Sequence, residues 1–197
     1  MAVSNRQIEK RKVRQERILT GALETFKARG LDKATMEEIA AESGFGKASL
    51  YYYFQSKEEV FTAIMENGWE MLWSNLEPVF YSNSKPRQTF INILLKTAEI
   101  IRTRPGLFEF LFNAPLKITF DKQPWKKQQN RLYVALTSLI EEGVKAGEFP
   151  KLDPPLLFKA IGGLFMGLVL MGDKNKPVSK KDIEELLNQL IMNPAQQ

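Results

Sequence analysis

The chain lacks two of the residue types on which much protein chemistry depends. Its 197 residues include no cysteine and no histidine. Disulfides, thiolate nucleophiles and zinc fingers are therefore excluded, and acid–base catalysis and metal binding lose their commonest side chain. Because no nucleophile–base pair stands out among the remaining residues, we expect no enzymatic activity, no cofactor and no bound metal.

Long apolar runs are also scarce. The first 17 residues are charged and contain no apolar segment of the kind found in secretory signals, so we expect a cytoplasmic protein. One run, residues 156–172, carries a single charge at Lys159. It falls slightly short of the roughly 20 apolar residues of a membrane helix. We interpret it as a buried helix of a bundle, with a membrane span as the less favoured alternative.

Helical periodicity dominates the rest of the chain. Apolar residues recur at intervals of three and four, and no stretch alternates as a strand does. The pattern predicts an all-α fold of about nine helices. It divides into an N-terminal three-helix domain, residues 1–56, and a larger helical domain, residues 57–197. Capping boxes are predicted at Thr35 and Ser56, and the helix after Ser56 is expected to end near Pro78.

Residues 35–54 have the pattern of a helix-turn-helix, two short helices joined by a turn that contains glycine. The second helix of such a motif enters the major groove. In the helix from Lys47 to Phe54, Leu50 and Phe54 are predicted to face inward. The polar and small side chains left toward DNA suit its chemistry, because lysine reaches guanine or phosphate, alanine allows close approach, and hydroxyls donate to phosphates.

Two further features favour DNA as the partner, and each has a plainer alternative. Three consecutive tyrosines, from Tyr51 to Tyr53, are hard to bury because each hydroxyl needs a partner. They are alternatively tyrosines at a domain junction with their hydroxyls in water. Residues 6–17 carry six basic and two acidic side chains, which indicates a basic arm that follows the DNA backbone or enters a minor groove. The alternative is a frayed, solubilising terminus.

The motif resembles the signature of TetR-type repressors over about residues 12–72. The matching positions are Thr35, Ile39, Ala40, Gly44, Phe45, Gly46, Leu50, Tyr51, Tyr53, Phe54, Lys57 and Glu58. Ala48 and Phe45 depart from it, since many relatives have glycine and valine there. The order of the remaining helices is similar to that of the family's regulatory domain.

The resemblance implies a homodimeric repressor on a palindromic operator of double-stranded DNA, released when a small ligand moves the two DNA-binding domains apart. It implies that Lys47, Ala48 and Tyr51 face bases. The residues that it places mostly against phosphates are Thr35, Ser49, Tyr52 and Lys57.

The last two helices are the predicted dimer interface, in which small residues permit close helix approach. Its residues are Gly162, Gly163, Gly167, Leu186 and Leu190. Alternatively, the glycines accommodate a helix of the same chain or a ligand. A hydrophobic or aromatic effector is expected in a cavity lined by Trp69, Trp73, Phe90, Phe108, Phe112, Tyr133, Phe165 and Met166. These side chains are alternatively ordinary core.

Two other functions remain open on the sequence alone. One is a DNA-binding regulator with no physiological effector. The other is an enzyme or a carrier of apolar ligands in which the helix-turn-helix is incidental. Loss of DNA binding on changing Lys47 and Tyr52 to alanine would argue against the second of these.

Overall fold

The computed structural model describes residues 5–113, 123–170 and 178–190. Within these ranges there are nine α-helices and no strand, so the predicted all-α class is confirmed. The helices are α1 (Asn5–Arg29), α2 (Met36–Ser43), α3 (Lys47–Tyr53), α4 (Lys57–Phe80), α5 (Pro86–Thr103), α6 (Pro105–Asn113), α7 (Lys126–Lys145), α8 (Pro154–Leu170) and α9 (Lys180–Leu190). None of the helices in the described ranges has the length and apolar character needed to cross a membrane.

The chain divides into two compact units, and the division falls inside α4 and α6. The described part of the first unit comprises residues 5–68, 110–113 and 123–125, and that of the second comprises 69–109, 126–170 and 178–190. The functional boundary predicted between residues 56 and 57 lies twelve residues before the end of the first segment. Packing continues past it because Phe61 and Ile64 are buried in the first unit. The boundary at residue 56 stays a prediction about function.

The core of the first unit holds the helix-turn-helix in place. Its buried apolar side chains share helical spacing on the inner faces of α1–α4: Ile18, Ala22, Phe26, Ile39, Leu50, Phe61 and Ile64. The Phe61 ring packs edge-on against Phe26, with centroids 6.1 Å apart, and against Trp125 at 5.5 Å. Such edge-to-face pairs stabilise a core beyond the area that they bury.

α1 and α2 approach each other closely at Gly21. A Cβ atom on Gly21 would lie 2.6 Å from the Oγ of Ser43 and 2.7 Å from its backbone nitrogen. The Ser43 hydroxyl is buried and donates to the carbonyl of Ile39 at 2.5 Å. The absent side chain at Gly21 therefore sets the distance between α1 and the helix-turn-helix.

Two predicted helix ends differ in detail from the structure. α4 continues through Pro78 to Phe80, because a proline in the last turn removes one hydrogen bond without preventing helical geometry. The capping box expected at Ser56 is half formed. The hydroxyl of Ser56 accepts from the amide of Glu59 at 3.2 Å, but the Glu59 carboxylate accepts from the amide of Gln55 at 2.6 Å.

In the second unit, α5 packs against α7, α8 and α9. The ring of Phe149 lies edge-on to Phe90 on α5, with centroids 5.7 Å apart. Arg87 ties the start of α5 to two other segments, since its guanidinium donates to the carbonyl of Glu148 and to the side-chain oxygen of Asn188 on α9. Asp153 caps the N-terminus of α8, with its carboxylate accepting from the amide of Leu156 at 3.0 Å.

Candidate DNA-binding site

The first helix of the motif is fixed at both ends. The Thr35 hydroxyl accepts from the amide of Glu38 at 3.2 Å, and the Glu38 carboxylate accepts from the amide of Thr35 at 3.1 Å, which is the predicted capping box. At the other end Gly44 has φ 71°, a left-handed conformation that glycine adopts without strain. The Phe45 amide donates to the carbonyl of Ala40 at 2.9 Å. The turn is thereby rigid, and it sets the direction in which α3 leaves.

The second helix, α3, is held by one buried side chain. Of its seven residues only Leu50 is buried. The side chains on its outer face are exposed at Lys47, Ala48, Ser49 and Tyr52 and half-buried at Tyr51 and Tyr53. Tyr52 is the most open of the three tyrosines, with 70% of its surface exposed. Consequently α3 presents a continuous face of hydroxyls, a small residue and one cation.

The cation on this face is paired. The ammonium of Lys47, the first residue of α3, forms an ion pair with the carboxylate of Glu37, the second residue of α2. The hydrogen bond from Lys47 lowers the pKa of Glu37, and the same bond raises the pKa of Lys47. Both shifts favour the charged forms of the two groups. Glu37 was not among the predicted site residues.

Thr35 and Lys57, the predicted phosphate contacts at helix N-termini, already make hydrogen bonds within the first unit. The Lys57 ammonium donates to the carbonyl of Asp32 at 2.9 Å and to that of Ala34 at 3.0 Å. It therefore braces the segment that leads into Thr35 and keeps one hydrogen for another acceptor. Thr35 is exposed, and its hydroxyl hydrogen is likewise free of the capping box, in which the oxygen only accepts.

Residues 5–17 form the first half of the single helix α1. The guanidinium carbon of Arg11 lies 5.8 Å from the centroid of the Tyr52 ring, and that of Arg17 lies 5.3 Å from the Phe45 ring. The two arginines therefore flank the turn and the exposed tyrosine of α3. The basic segment therefore lies against the helix-turn-helix, a contact that the sequence did not predict.

The comparisons with known proteins identify this motif. Residues 18–64 match the family model described as bacterial regulatory proteins, tetR family. The chain therefore carries the DNA-binding domain of the TetR family. It is a DNA-binding transcriptional regulator, as the helix-turn-helix indicates.

Two relatives and one solved structure extend the likeness beyond the motif. The HTH-type transcriptional regulator YfiR of Bacillus subtilis is 26% identical over 72% of this chain and 70% of its own length. The HTH-type transcriptional repressor KstR2 of Mycolicibacterium smegmatis is 25% identical over 75% of this chain and 74% of its own. The fold is similar to that of AibR in complex with isovaleryl coenzyme A and operator DNA, with TM-score 0.77, 17% identity and coverage of 92% and 99%.

The side chains predicted to line an effector cavity are divided between the two units. Phe112 belongs to the first unit, and the other seven belong to the second. Five of those seven are buried: Trp69, Trp73, Phe90, Phe108 and Phe165. Met166 is half-buried, and Tyr133 is exposed and packs edge-on against Phe158 at 5.0 Å. The predicted cavity therefore stays a prediction.

Trp73 has surroundings that the sequence did not reveal. Its ring stacks on Phe80, with centroids 5.7 Å apart, and the guanidinium of Arg131 lies 4.0 Å from its centroid. Arg131 is held there by an ion pair with Glu77 at 2.8 Å. The Nε1 atom of Trp73 is buried without a hydrogen-bond partner. These contacts join α4 to α7 within the second unit.

The predicted dimer face is open along α8. Among the described residues, a Cβ atom on Gly162, Gly163 or Gly167 would meet no atom within 4 Å, so none of the described helices packs closely against these glycines. Exposed apolar Leu156 and Leu164 lie on the same side of α8. On α9, Leu186 is half-buried, and the side chain of Leu190 lies outside the described residues.

Proposed function

We propose that this regulator is a repressor that binds a palindromic operator as a homodimer and is released by a small, mostly apolar ligand. The observation that carries the DNA-binding part is the geometry of α3. One buried leucine anchors it, and a capped turn directs its exposed face outward. Such a helix is the shape that fits a major groove. In a dimer two of them reach half-sites about 34–36 Å apart.

The roles proposed for individual residues follow their position on this face. Lys47, Ala48 and Tyr51 face base edges, where an ammonium and a methyl group have specific partners. The residues with donors at the rim of the motif contact phosphates: Thr35, Ser49, Tyr52 and Lys57. The third hydrogen of the Lys57 ammonium is sufficient for one such contact.

Residues 6–17 supply the attraction to the DNA backbone. The helix-turn-helix at residues 35–54 contains three glutamates and one lysine, a net charge of −2, whereas residues 5–17 have a net charge of +4. A phosphate backbone is bound mainly through cations that displace its counterions. Because Arg11 lies over Tyr52, the basic segment and the face of α3 can engage the same stretch of DNA.

The dimer is supported by the open face of α8. Leu156, Ala160, Gly163, Leu164 and Gly167 follow one another at intervals of four, three, one and three residues, which places them on one side of a helix. Small residues in such a row let a second helix approach closely. A second copy of the chain, paired through α8 and α9, would cover this apolar row with four helices.

An apolar effector is supported by the composition of the second unit. Its buried aromatic side chains, with few polar atoms among them, resemble the lining of known ligand pockets. AibR, which has this fold, has been solved with isovaleryl coenzyme A, a ligand with a short apolar acyl group. A ligand acts on the operator complex only if it binds better to the protein in the conformation that DNA disfavours. The regulator thus switches by a shift between two dimer conformations.

Two tyrosines provide a matched test of the DNA-binding face. Footprinting on the DNA that flanks the protein's own gene identifies an operator, and fluorescence anisotropy then measures affinity for it. Tyr52→Ala should weaken binding about fivefold or more, because a lost phosphate contact and its ring packing are worth roughly 1 kcal/mol. Tyr81→Ala is the control, since Tyr81 is 77% exposed in the second unit. Equal affinities of both variants would contradict the proposal.

Light scattering tests the dimer. A mass of twice 22.6 kDa is expected at micromolar concentration. Gly163→Leu should convert the protein to a monomer with unchanged helix content, because the new Cβ atom meets no atom of the described residues of its own chain, whereas the side chain would fill the proposed interface. Thr20→Leu, on the exposed side of α1, should leave the dimer intact. A wild-type monomer, or a Gly163→Leu dimer of equal stability, would refute this interface.

The effector is tested by release from the operator. Small aliphatic and aromatic compounds, and short-chain acyl coenzyme A compounds in parallel, are added to the complex, and both the loss of anisotropy and the quenching of tryptophan fluorescence are followed. A hydrophobic ligand should produce both effects at the same concentration. If quenching and release occur at unrelated concentrations, the bound compound is not the effector. If no apolar compound releases the protein, the regulator acts without a small-molecule effector of this class.

A further inference from the structure

An ion pair connects the first turns of the two helices of the motif. It joins Glu37 on α2 to Lys47 on α3, and both side chains are exposed, at 56% and 60%. The pair therefore lies at the surface of the motif, on the side from which Lys47 is expected to meet DNA. Because of this ion pair, the carboxylate of Glu37 lies next to the ammonium of Lys47.

A carboxylate at this position has a consequence for DNA binding. Phosphates repel it, so it weakens any complex in which it finds no hydrogen-bond donor. It also holds one of the three hydrogens of the only charged side chain in α3, Lys47. A protein that bound DNA through backbone charge alone would gain by losing Glu37. Its presence beside Lys47 favours a role in reading bases.

The neighbouring glutamates do not share this arrangement. Glu38 closes the capping box with Thr35 and forms an ion pair with Arg29 at 3.0 Å. Glu42 is exposed near the other end of α2, five residues and about 140° around the helix from Glu37. Glu37 is thus the carboxylate that accompanies the cation of α3.

The major groove offers one base pair that suits both charges. Guanine presents two acceptors, O6 and N7, which are the usual partners of a lysine ammonium, and cytosine presents the N4 amino group, which donates to a carboxylate. A G·C pair therefore places an acceptor set and a donor side by side. An A·T pair also has an acceptor, N7, and a donor, the N6 amino group of adenine, but it offers the lysine one acceptor instead of two, and the O4 acceptor of thymine next to N6 repels a carboxylate.

We propose that Glu37 is a specificity-determining residue that reads a G·C pair in each operator half-site together with Lys47. Glu37 accepts from the N4 amino group of cytosine, and Lys47 donates to O6 or N7 of its guanine partner. The inference rests on the proposed binding of α3 in the major groove. It adds a residue of α2 to the reading surface and names the base pair that this residue selects.

The test is selection of binding sites from a pool of duplexes with a random 30-base-pair core. Wild-type protein, Glu37→Ala and Glu42→Ala are used in parallel at one salt concentration. Each variant removes one exposed negative charge from α2 and places a good helix former there, so the two should fold equally well. The wild type and Glu42→Ala should enrich the same G·C pair in both half-sites, and Glu37→Ala should accept any base at that position.

Affinity for the selected duplex makes the prediction quantitative. Replacing the chosen G·C pair by A·T should weaken wild-type binding about five- to 150-fold, which corresponds to the 1–3 kcal/mol of one specific base contact. The same replacement should change the affinity of Glu37→Ala less than about threefold. Glu37→Ala should at the same time bind random duplexes more tightly than the wild type, since repulsion from phosphates is removed.

Three results would overturn the inference. If Glu37→Ala binds more tightly but enriches the same G·C pair, Glu37 only repels DNA. If Glu42→Ala loses the preference as well, the effect is one of net charge. The inference is also refuted if the wild type enriches a sequence but shows no G·C preference at any position whose preference changes in Glu37→Ala. In all three the proposed function survives, whereas a wild type that enriches no sequence would refute that function too.

Discussion

Replacing Leu50 by alanine tests whether a single side chain anchors α3. Leu50 is fully buried and is the one buried residue of this seven-residue helix. The change removes three carbon atoms, which corresponds to about 2.4 kcal/mol of lost burial at 0.8 kcal/mol per methylene. The cavity that remains raises the expected loss to about 3–5 kcal/mol, because the rigid turn before α3 limits collapse.

Urea unfolding followed by far-ultraviolet circular dichroism measures this loss in the free energy of unfolding. Leu50→Met, which nearly conserves volume, should cost less than about 1.5 kcal/mol. Tyr52→Ala, on the exposed face of the same helix, should stay within about 0.5 kcal/mol of the wild type while weakening DNA binding. A loss below about 1 kcal/mol for Leu50→Ala would refute the anchoring role, because α3 would then be held by its flanking residues.

Three shorter predictions follow from the first unit. Gly21→Ala should lower the free energy of unfolding by about 1–3 kcal/mol because the new Cβ atom meets backbone atoms. Gly68→Ala is the control and should lower it little, because its Cβ atom meets the methyl group of a leucine side chain that can move. Equal urea midpoints for the two variants would contradict this prediction. Arg11→Gln should reduce by about 0.9 the slope of the logarithm of the operator-binding constant against the logarithm of the salt concentration. Lys151→Gln, in the second unit, should leave this slope unchanged. Equal slopes for the two variants would refute a phosphate contact by Arg11. The carboxyl group of Glu37, followed through the chemical shift of its carbon by nuclear magnetic resonance, should titrate below the ordinary pKa of 4.5. Its contribution to the free energy of unfolding should be present above pH 4.5 and lost as the pH falls through the pKa of the folded state. A midpoint at or above 4.5 would contradict the ion pair.

Local features of the motif could be predicted from the sequence because they depend on a few neighbouring residues. A threonine three residues before a glutamate forms a capping box, and Gly44 ends α2 because it adopts a positive φ. The prediction was less accurate where two local solutions compete. The Glu59 carboxylate can accept from either of two adjacent amides, and it accepts from the amide of Gln55. Pro78 lies in the last turn of α4, where the helix continues past it.

Features that depend on distance through space were not predictable in the same way. The Glu37–Lys47 pair spans ten residues and a turn, so it emerges only when the direction of α3 is known. The aromatic side chains chosen for a cavity illustrate the opposite error. Apolar character identifies residues that avoid water, but it does not distinguish one buried location from another, and Tyr133 is exposed although Phe108 is buried.

The distribution of charge suggests how affinity and specificity are divided between the helices of the first unit. The motif proposed to meet the bases has a net charge of −2, and the first 13 described residues of α1 have a net charge of +4. Attraction to phosphates is the same for every sequence, so a strongly basic reading helix would hold the protein on random DNA. A carboxylate beside Lys47 lowers that background, and Arg11 over Tyr52 restores binding to the backbone from a separate helix. On this reasoning, removing Glu37 should relax sequence preference and removing Arg11 should weaken binding to all sequences alike, and the double variant should show both effects independently.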